Sequence, residues 1–278
     1  MNFANFPVGP LVFSTGGVIV FFGILLAAKM LVRTARDEKL PISFLSDHLF
    51  FFVFMPLFLG RLGAFLAMWP AFSRHLTDHF FQNLFEILRG FFLIGDGGIK
   101  ADWAVGGFFL VFLILAAWKK QRHFSWLDAF LLPGILISIF VSIGGYFSGW
   151  NYGAPAPKWL FPPFSVTYDL LSVRYSGPIY AVQLYSAAIS AILFFFGLKM
   201  WDHKIWRKWV AGRFFATMIF LFSLSHFFLG FFRGDGSQML FEMRLSQVVS
   251  LAVAFFSLGF LFFLKKFEKP LVHRLQKK

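Results

Sequence analysis

Two basic residues lie seven positions apart near the end of one apolar stretch, where their side chains can act together. His226 precedes Arg233 by almost two helical turns, which predicts a shared helix face and a separation of about 10 Å along the axis. A neutral imidazole accepts a proton near neutral pH, and a guanidinium binds an anion. Asp102 is the alternative base, or it merely caps a helix. The pattern predicts proton transfer beside an anionic group, and His226 also fits a purely structural hydrogen bond.

Other polar residues interrupt apolar stretches, where a charge is costly and is a functional candidate. Arg61 lies in a glycine-flanked motif, which predicts close helix packing and either a lipid-phosphate contact or a side chain that reaches the outer interface. Gln183 and Tyr185 open a later stretch and fit either substrate binding or a hydrogen bond between helices. Two further residues are predicted to cap the helices in which they lie, Asp128 and Gln247.

The composition is that of a membrane protein. Of the 278 residues, 58% are apolar and 14% are charged, and the mean hydropathy is +0.71. Soluble domains are about 25% charged. These values exclude a disordered chain, a nucleic-acid-binding module and an ordinary cytosolic enzyme. The chain has no cysteine, no zinc-type ligand spacing and no nucleotide-binding loop, so we expect no metal and no cofactor.

Seven apolar stretches approach the length of about 20 residues that a membrane-spanning helix needs. They predict an all-α, polytopic membrane protein with seven transmembrane helices, at 11–32, 44–69, 101–118, 126–148, 178–200, 214–232 and 246–264. Most of the 26 lysines and arginines follow the first, third, fifth and seventh stretches, and the first ten residues have none. The positive-inside rule therefore places the N-terminus outside and the C-terminus in the cytoplasm.

Two outer connections are predicted to be structured. Residues 75–92 repeat apolar side chains every three or four positions, which indicates an amphipathic helix in the outer interface. Residues 150–177 are rich in proline and aromatic side chains and are predicted to cap the outer membrane surface. Because no repeat or linker interrupts the chain, we expect residues 1–278 to form a single membrane domain and a monomer. We also expect a lipid-sized cavity lined by Arg61, Gln183, Tyr185 and His226.

Short motifs in a fixed order resemble one family, the bacterial phosphatidylglycerol–prolipoprotein diacylglyceryl transferases. They are L-G-R-L-G at 59–63, G-G at 97–98, G-Y-F-S-G at 145–149 followed by Tyr152 and Gly153, Q-L-Y at 183–185, F-F-R-G-D at 231–235 and S-Q-V-V-S at 246–250. The resemblance implies a multi-pass protein of the bacterial inner membrane. It also implies transfer of a diacylglyceryl group from phosphatidylglycerol, or a similar anionic lipid, to the cysteine thiol of a prolipoprotein signal peptide, with glycerol-1-phosphate leaving.

The resemblance assigns roles to the residues that match the family's motifs. The positions it gives to substrate binding are Arg61, Gly153, Gln183, Tyr185 and Gln247. The candidates for catalysis are His226 and Arg233, with Asp102 as the rival base.

Other positions depart from the family pattern, and they are the ones that carry its chemistry. In the first predicted span, Gly16 replaces the family's tyrosine. In the family's signature motif, the arginine is replaced by Ser142 or Ile143, the asparagine by Tyr146 and the glutamate by Trp150 or Asn151. In the sixth predicted span, the family's tyrosine, arginine and glutamate are replaced by Phe222, His226 and Gly230. The alternative interpretation is therefore a catalytically degenerate member that binds lipid or a partner protein. A third interpretation, an unrelated transporter, predicts pseudo-symmetric halves, and the sequence contains none.

Overall fold

The computed structural model describes residues 5–8, 11–73, 101–169, 173–203, 210–236 and 239–275. Within these ranges the chain forms eight α-helices: α1 (Thr15–Asp37), α2 (Ser43–Ser46), α3 (Leu49–Ser73), α4 (Ala101–Trp118), α5 (His123–Ser148), α6 (Val182–Asp202), α7 (Arg213–Leu229) and α8 (Leu245–Leu275). It also forms three antiparallel strand pairs: β1 (Asn5–Val8) with β2 (Leu11–Ser14), β3 (Ser165–Val166) with β4 (Ile179–Tyr180), and β5 (Met239–Leu240) with β6 (Met243–Arg244). The amphipathic helix predicted at 75–92 lies outside the described residues.

Six of these helices are long and apolar enough to cross a membrane, which confirms a helical, multi-pass membrane protein. The candidate spans are Thr15–Asp37, Leu49–Leu66, His123–Ser148, Val182–Asp202, Arg213–Phe232 and Leu245–Lys265, and the fifth of them includes the 3₁₀ turn that follows α7. The remaining predicted span coincides with α4, whose apolar part, Trp103–Trp118, is shorter. Large side chains such as Phe256 (80% exposed) point away from the protein, as expected of helices that are apolar on every side. The number of spans and their orientation stay predictions.

Two helices begin later than the apolar pattern predicts, because extended backbone precedes them. Residues 11–14 form β2, and Ser14 then caps α1 by accepting the N–H of Gly17 at 3.4 Å. Likewise Ile179–Tyr180 pairs with β3 before α6 begins at Val182. A short apolar strand and the end of an apolar helix have the same hydrophobicity, so composition does not separate them.

The chain forms two compact units, of which the smaller comprises Lys39–His123. In this unit α3 packs along α4. A Cβ on Gly107 would lie 3.1 Å from the carbonyl oxygen of Met55, and one on Gly63 would overlap the ring of Trp103. Gly63 and Gly107 are therefore positions at which the two helices come close, as the glycine-flanked motif around Arg61 predicts.

The larger unit comprises Met1–Glu38 and Phe124–Lys278, and its core fixes α5, α6 and α7 side by side. One residue from each helix illustrates the contact: Leu132, Trp201 and Phe214 are almost fully buried. Gly197 allows α6 to pack closely against α5 and α7 at this point, because a Cβ there would lie 2.9 Å from the Leu132 side chain and 3.0 Å from the Met218 side chain. The same cluster also contains Leu131, Ile135 and Met200.

Asp128 does not cap its own helix, contrary to the sequence prediction. It lies inside α5 and is 3% exposed, and its carboxylate accepts the N–H groups of Gly212 (2.7 Å) and Phe215 (2.8 Å) at the start of α7. The first N–H groups of a helix have no partner within that helix, so a carboxylate from a neighbouring helix can satisfy them. Asp128 therefore ties α5 to the helix that carries His226.

The segment predicted to cap the outer surface has a small apolar core of its own, formed by Tyr152, Val166, Tyr168, Val173, Ile179 and Ala181. The hydroxyl of Tyr168 donates to the carbonyl oxygen of Tyr146 at 2.6 Å. Burial, followed by the nearby Tyr146, raises the pKa of Tyr168 above its usual value, so the phenol stays a neutral donor. The position of this segment on the membrane surface stays a prediction.

Candidate functional site

A cavity of about 180 Å³ lies in the larger unit, between α5, the first turns of α6 and the end of α7. Its volume corresponds to about six water molecules, which suits a polar head group. The lipid-sized cavity expected from the sequence also includes Arg61, which belongs to the smaller unit, and it stays a prediction. The lining residues are Ser138, Val141, Ser142, Gly145, Asn151, Val182, Gln183, Ser186, His226, Leu229 and Arg233.

Three sequence candidates line this cavity together: Gln183, His226 and Arg233. His226 and Arg233 do not lie on one helix face, which differs from the prediction. Helix α7 ends at Leu229, and Gly230–Phe232 form a 3₁₀ turn that leads into extended backbone at Arg233. Arg233 therefore reaches the cavity of His226 from a loop and not from a second turn of the same helix.

The His226 ring is held by contacts on three sides. Its Nδ1 lies 3.1 Å from the carbonyl oxygen of Phe222, and its Nε2 lies 3.3 Å from the Ser186 hydroxyl. The ring also stacks on Phe222, with the ring centres 4.1 Å apart. These contacts fix the orientation of the imidazole, with Nε2 towards the cavity-lining serine.

Two pairs of serines join the facing helices α5 and α6 at the site and beside it, and sequence analysis did not single them out as a group. The Ser142 and Ser186 hydroxyls are 2.9 Å apart, and one turn further the Ser138 hydroxyl donates to that of Ser190 at 3.0 Å. The available sequence signal is a four-residue spacing, of Ser138 and Ser142 on α5 and of Ser186 and Ser190 on α6. This spacing places the two serines of each helix on one face. The resemblance places the family's signature arginine at Ser142 or Ile143, and Ser142 lines the cavity.

Arg233 is held by a carboxylate and an amide. Its guanidinium donates to both oxygens of Asp235, at 3.1 and 2.7 Å, and to the Asn151 side-chain oxygen at 2.8 Å. Arg244 donates to the backbone oxygens of Asp235 (2.6 Å) and Arg233 (2.7 Å), and its guanidinium lies 3.5 Å from the Asp235 carboxylate. Two arginines share this carboxylate, so this cluster carries an excess positive charge beside the cavity.

Gly153 acts on this cluster through the backbone. It forms an antiparallel bridge with Arg233, in which Gly234 N–H donates to the Tyr152 oxygen at 2.9 Å. A Cβ on Gly153 would overlap the carbonyl oxygen of Tyr180. The glycine therefore lets three segments of backbone meet, and it positions Arg233 without lining the cavity.

Two other candidates from the resemblance hold the surrounding structure. The Gln247 Oε1 accepts the Arg244 N–H at 3.0 Å, which confirms the predicted cap of α8. The Tyr185 hydroxyl donates to the carbonyl oxygen of Phe164, and its ring packs on Phe232. Neither side chain lines the cavity. Gln183 does so, and its amide nitrogen donates to the Trp150 oxygen at 2.7 Å.

The remaining two candidates lie in the smaller unit. Arg61 is half-buried on α3, and its assignment to substrate binding stays a prediction. Asp102 belongs to the first turn of α4, but its side chain lies outside those that the structure describes. Among the described residues, no group of three or more histidine and acidic side chains is arranged to hold a metal ion.

Comparison with known proteins decides the family. The family model described as prolipoprotein diacylglyceryl transferase matches residues 4–263. The chain belongs to the prolipoprotein diacylglyceryl transferase family.

Among its relatives are proteins named phosphatidylglycerol–prolipoprotein diacylglyceryl transferase. The protein from Symbiobacterium thermophilum is 27% identical over 262 residues, covering 90% of this chain and 88% of the relative. The protein from Campylobacter curvus is 26% identical over 256 residues, with 90% and 89% covered. The protein from Tropheryma whipplei is 26% identical over 260 residues, with 90% and 88% covered. The resemblance deduced from the short motifs is confirmed.

The structure gives a packing reason for one departure from the transferase pattern. At Gly16, where the resemblance places the family tyrosine, a Cβ would overlap the Ser148 hydroxyl and lie 2.5 Å from the Gly144 oxygen. At Gly144, a Cβ would lie 2.7 Å from the Gly16 oxygen. Helices α1 and α5 therefore meet backbone to backbone, and a tyrosine at this position does not fit.

Proposed function

We propose that this chain is a phosphatidylglycerol–prolipoprotein diacylglyceryl transferase of the bacterial inner membrane that works with an altered set of polar residues. The observation that carries the proposal is the shared cavity of His226 and Arg233, which supplies a proton acceptor and a cation in a space of head-group size. Membership of the family and the names of its relatives support the reaction.

The reaction requires a thiolate and a stabilised phosphate leaving group. The cysteine of the prolipoprotein loses its proton to the imidazole of His226. Its sulfur then attacks the glycerol carbon that carries the phosphate ester, and the carbon–oxygen bond breaks. The electron pair passes to the phosphate oxygen, which takes up the proton from the imidazolium, and glycerol-1-phosphate leaves. The substrate's own thiol is the nucleophile, so the absence of cysteine in this chain is no obstacle.

Arg233 is the cation that faces the phosphate. Fixed positive groups stabilise charge that develops in the transition state, and those already in position need no reorganisation. Asp235 and Asn151 hold the guanidinium in place, while Arg244 offsets the charge of Asp235. This arrangement favours an anionic lipid such as phosphatidylglycerol over a zwitterionic one.

We infer that the cavity opens towards the outer half of the bilayer. The distribution of lysine and arginine supports an outer N-terminus and a cytoplasmic C-terminus. With that topology, the end of α5, the start of α6 and the end of α7 all lie on the outer side. The residues around the cavity belong to these three ends.

The runner-up function is lipid or partner binding without transfer. It is favoured by the replacement of the signature arginine and asparagine, because the cavity presents Ser142 where a cation is expected. Loss of one fixed donor for a developing negative charge costs about 2.7–4 kcal/mol of transition-state stabilisation. We therefore expect slower transfer than in family members that have the complete set.

Complementation separates the two functions. A bacterial strain depleted of its own transferase receives the wild-type chain, His226→Ala or Arg233→Ala, with membrane levels checked by immunoblot. We expect growth with the wild type and none with either variant. Rescue by both variants would refute the assigned residues, and failure of a well-expressed wild type would favour the binding function.

A further inference from the structure

The hydrogen bonds around His226 fix which ring nitrogen carries hydrogen. The partner of Nδ1 is the carbonyl oxygen of Phe222, which only accepts, so Nδ1 must donate. In the neutral imidazole Nε2 then has a free lone pair. The partner of Nε2 is the Ser186 hydroxyl at 3.3 Å, and this hydroxyl must therefore be the donor.

The same reasoning sets the direction of the next hydrogen bond. A serine hydroxyl has one hydrogen and two lone pairs. Because Ser186 gives its hydrogen to His226, the 2.9 Å bond between Ser186 and Ser142 must be donated by Ser142. The result is a directed chain of hydroxyls that ends at Nε2, with both serines exposed to the cavity.

We propose that Ser186 relays the proton of the incoming cysteine thiol to Nε2 of His226. This rests on the proposed transferase function. As the S–H bond breaks, its proton binds to Ser186 Oγ, the original Ser186 proton passes to Nε2, and both serine and thiol keep their electron pairs. The sulfur is then a thiolate, His226 is an imidazolium, and Ser186 is again neutral. No oxidant or additional reactant is needed.

Geometry favours the relay over direct transfer. The lone pair of Nε2 already accepts the hydrogen of the Ser186 hydroxyl. The thiol proton of a cysteine in the cavity therefore reaches the serine oxygen before it reaches the ring nitrogen. Ser142 donates to the same oxygen, which stabilises the partial negative charge that develops on it during transfer. Ser190 is a matched control, since it lies one turn further along α6, is fully buried, forms a serine–serine bond and does not line the cavity.

The first test compares Ser186→Ala, Ser186→Thr and Ser190→Ala in the full chain, reconstituted in nanodiscs with phosphatidylglycerol and a cysteine-bearing lipoprotein peptide. We expect Ser186→Ala to lower kcat about 100-fold, the lower limit for positioned proton transfer, with little change in KM. The hydroxyl of Ser186→Thr should restore most of the rate, and Ser190→Ala should match the wild type. Raising the pH should partly rescue Ser186→Ala, because more of the peptide thiol is then ionised in solution.

A second measurement reads the hydrogen bond without relying on activity. Nitrogen NMR of ring-labelled histidine, assigned by comparison with His226→Gln, should show hydrogen on Nδ1 and an acceptor signal at Nε2. The Nε2 signal should shift in Ser186→Ala and not in Ser190→Ala.

The outcomes separate the relay from the proposed function. Wild-type transfer with an unchanged rate in Ser186→Ala would overturn the relay and leave the transferase function intact. Hydrogen on Nε2 of the wild type would also overturn it. An inactive wild type would refute the transferase function, and with it the relay as a step of that reaction.

Discussion

At the scale of single residues, the resemblance implies that a titratable ring replaces a permanent cation. It places His226 at the position of a family arginine, and the imidazole either accepts a proton or carries a positive charge. Its contacts with Phe222 and Ser186 favour the accepting role. The fixed charge near the cavity must then come from Arg233 and its neighbour Arg244.

We predict that Arg233→Gln weakens binding of phosphatidylglycerol about tenfold or more, since a hydrogen bond to a charged group contributes about 1.5–3 kcal/mol. Binding can be measured by titrating short-chain phosphatidylglycerol in detergent. The matched control is Arg33→Gln, because Arg33 also pairs with an aspartate, Asp202 at 2.6 Å, but its side chain is 52% exposed and contributes little. Equal binding of phosphatidylglycerol by both variants would show that Arg233 does not contribute to the lipid site.

Sequence reasoning found the charged residues of the site and missed its hydroxyls. His226, Arg233 and Gln183 attract notice because polar groups are rare in apolar stretches. Serine is common in transmembrane helices and can bond to its own backbone, so the four-residue spacing of Ser186 and Ser190 does not indicate a site until α5 and α6 are placed face to face. The short segments that bring Gly153 to Arg233 depend on contacts far apart in the chain, which local patterns do not encode.

At the scale of elements, long apolar runs predicted the long helices well because most of each run lies within one helix. The ends were less accurate where strands precede α1 and α6. The role of Asp128 was wrong for a related reason. Its position near the start of α5 suggested a local cap, whereas its partners lie 84 and 87 residues away.

We predict that Asp128→Ala lowers the free energy of unfolding by about 1–2 kcal/mol, as expected for loss of a helix N-cap. The Asp128→Asn variant should lose about half as much, because its one side-chain oxygen can accept from Gly212 or Phe215. Thermal unfolding in detergent, followed by tryptophan fluorescence, measures both variants. An unchanged melting temperature in Asp128→Ala would show that the carboxylate does not stabilise the start of α7.

The close approach of α1 and α5 gives a second prediction at this scale. Gly16→Ala should destabilise the protein, because its Cβ would lie 2.5 Å from the backbone oxygen of Gly144, which cannot rotate away. Gly17→Ala is the matched control, since its nearest neighbour is the Ser14 Cβ at 3.7 Å. Alanine there should be neutral or stabilising by up to about 1 kcal/mol. Similar melting temperatures for both variants would refute the backbone contact.

At the scale of the whole molecule, the orientation in the membrane is the prediction that the sequence supports most strongly. The chain has no cysteine, so a single introduced cysteine is a unique chemical label. Phe241→Cys, at an 80% exposed position between β5 and β6, should react with an impermeant maleimide added to intact cells. His203→Cys, at the exposed end of α6, should react only after permeabilisation. The reverse labelling pattern would show that the chain has the opposite orientation in the membrane.

The proposed transferase function is tested by assaying transfer with the purified chain. Wild-type protein in nanodiscs of phosphatidylglycerol is incubated with a lipoprotein signal peptide that contains one cysteine, and the peptide mass is followed. We predict a gain of one diacylglyceryl group on the cysteine, release of glycerol-1-phosphate, and loss of both products in His226→Ala. Bound phosphatidylglycerol without any modified peptide would contradict it, and the chain would then be a lipid-binding member of the transferase family.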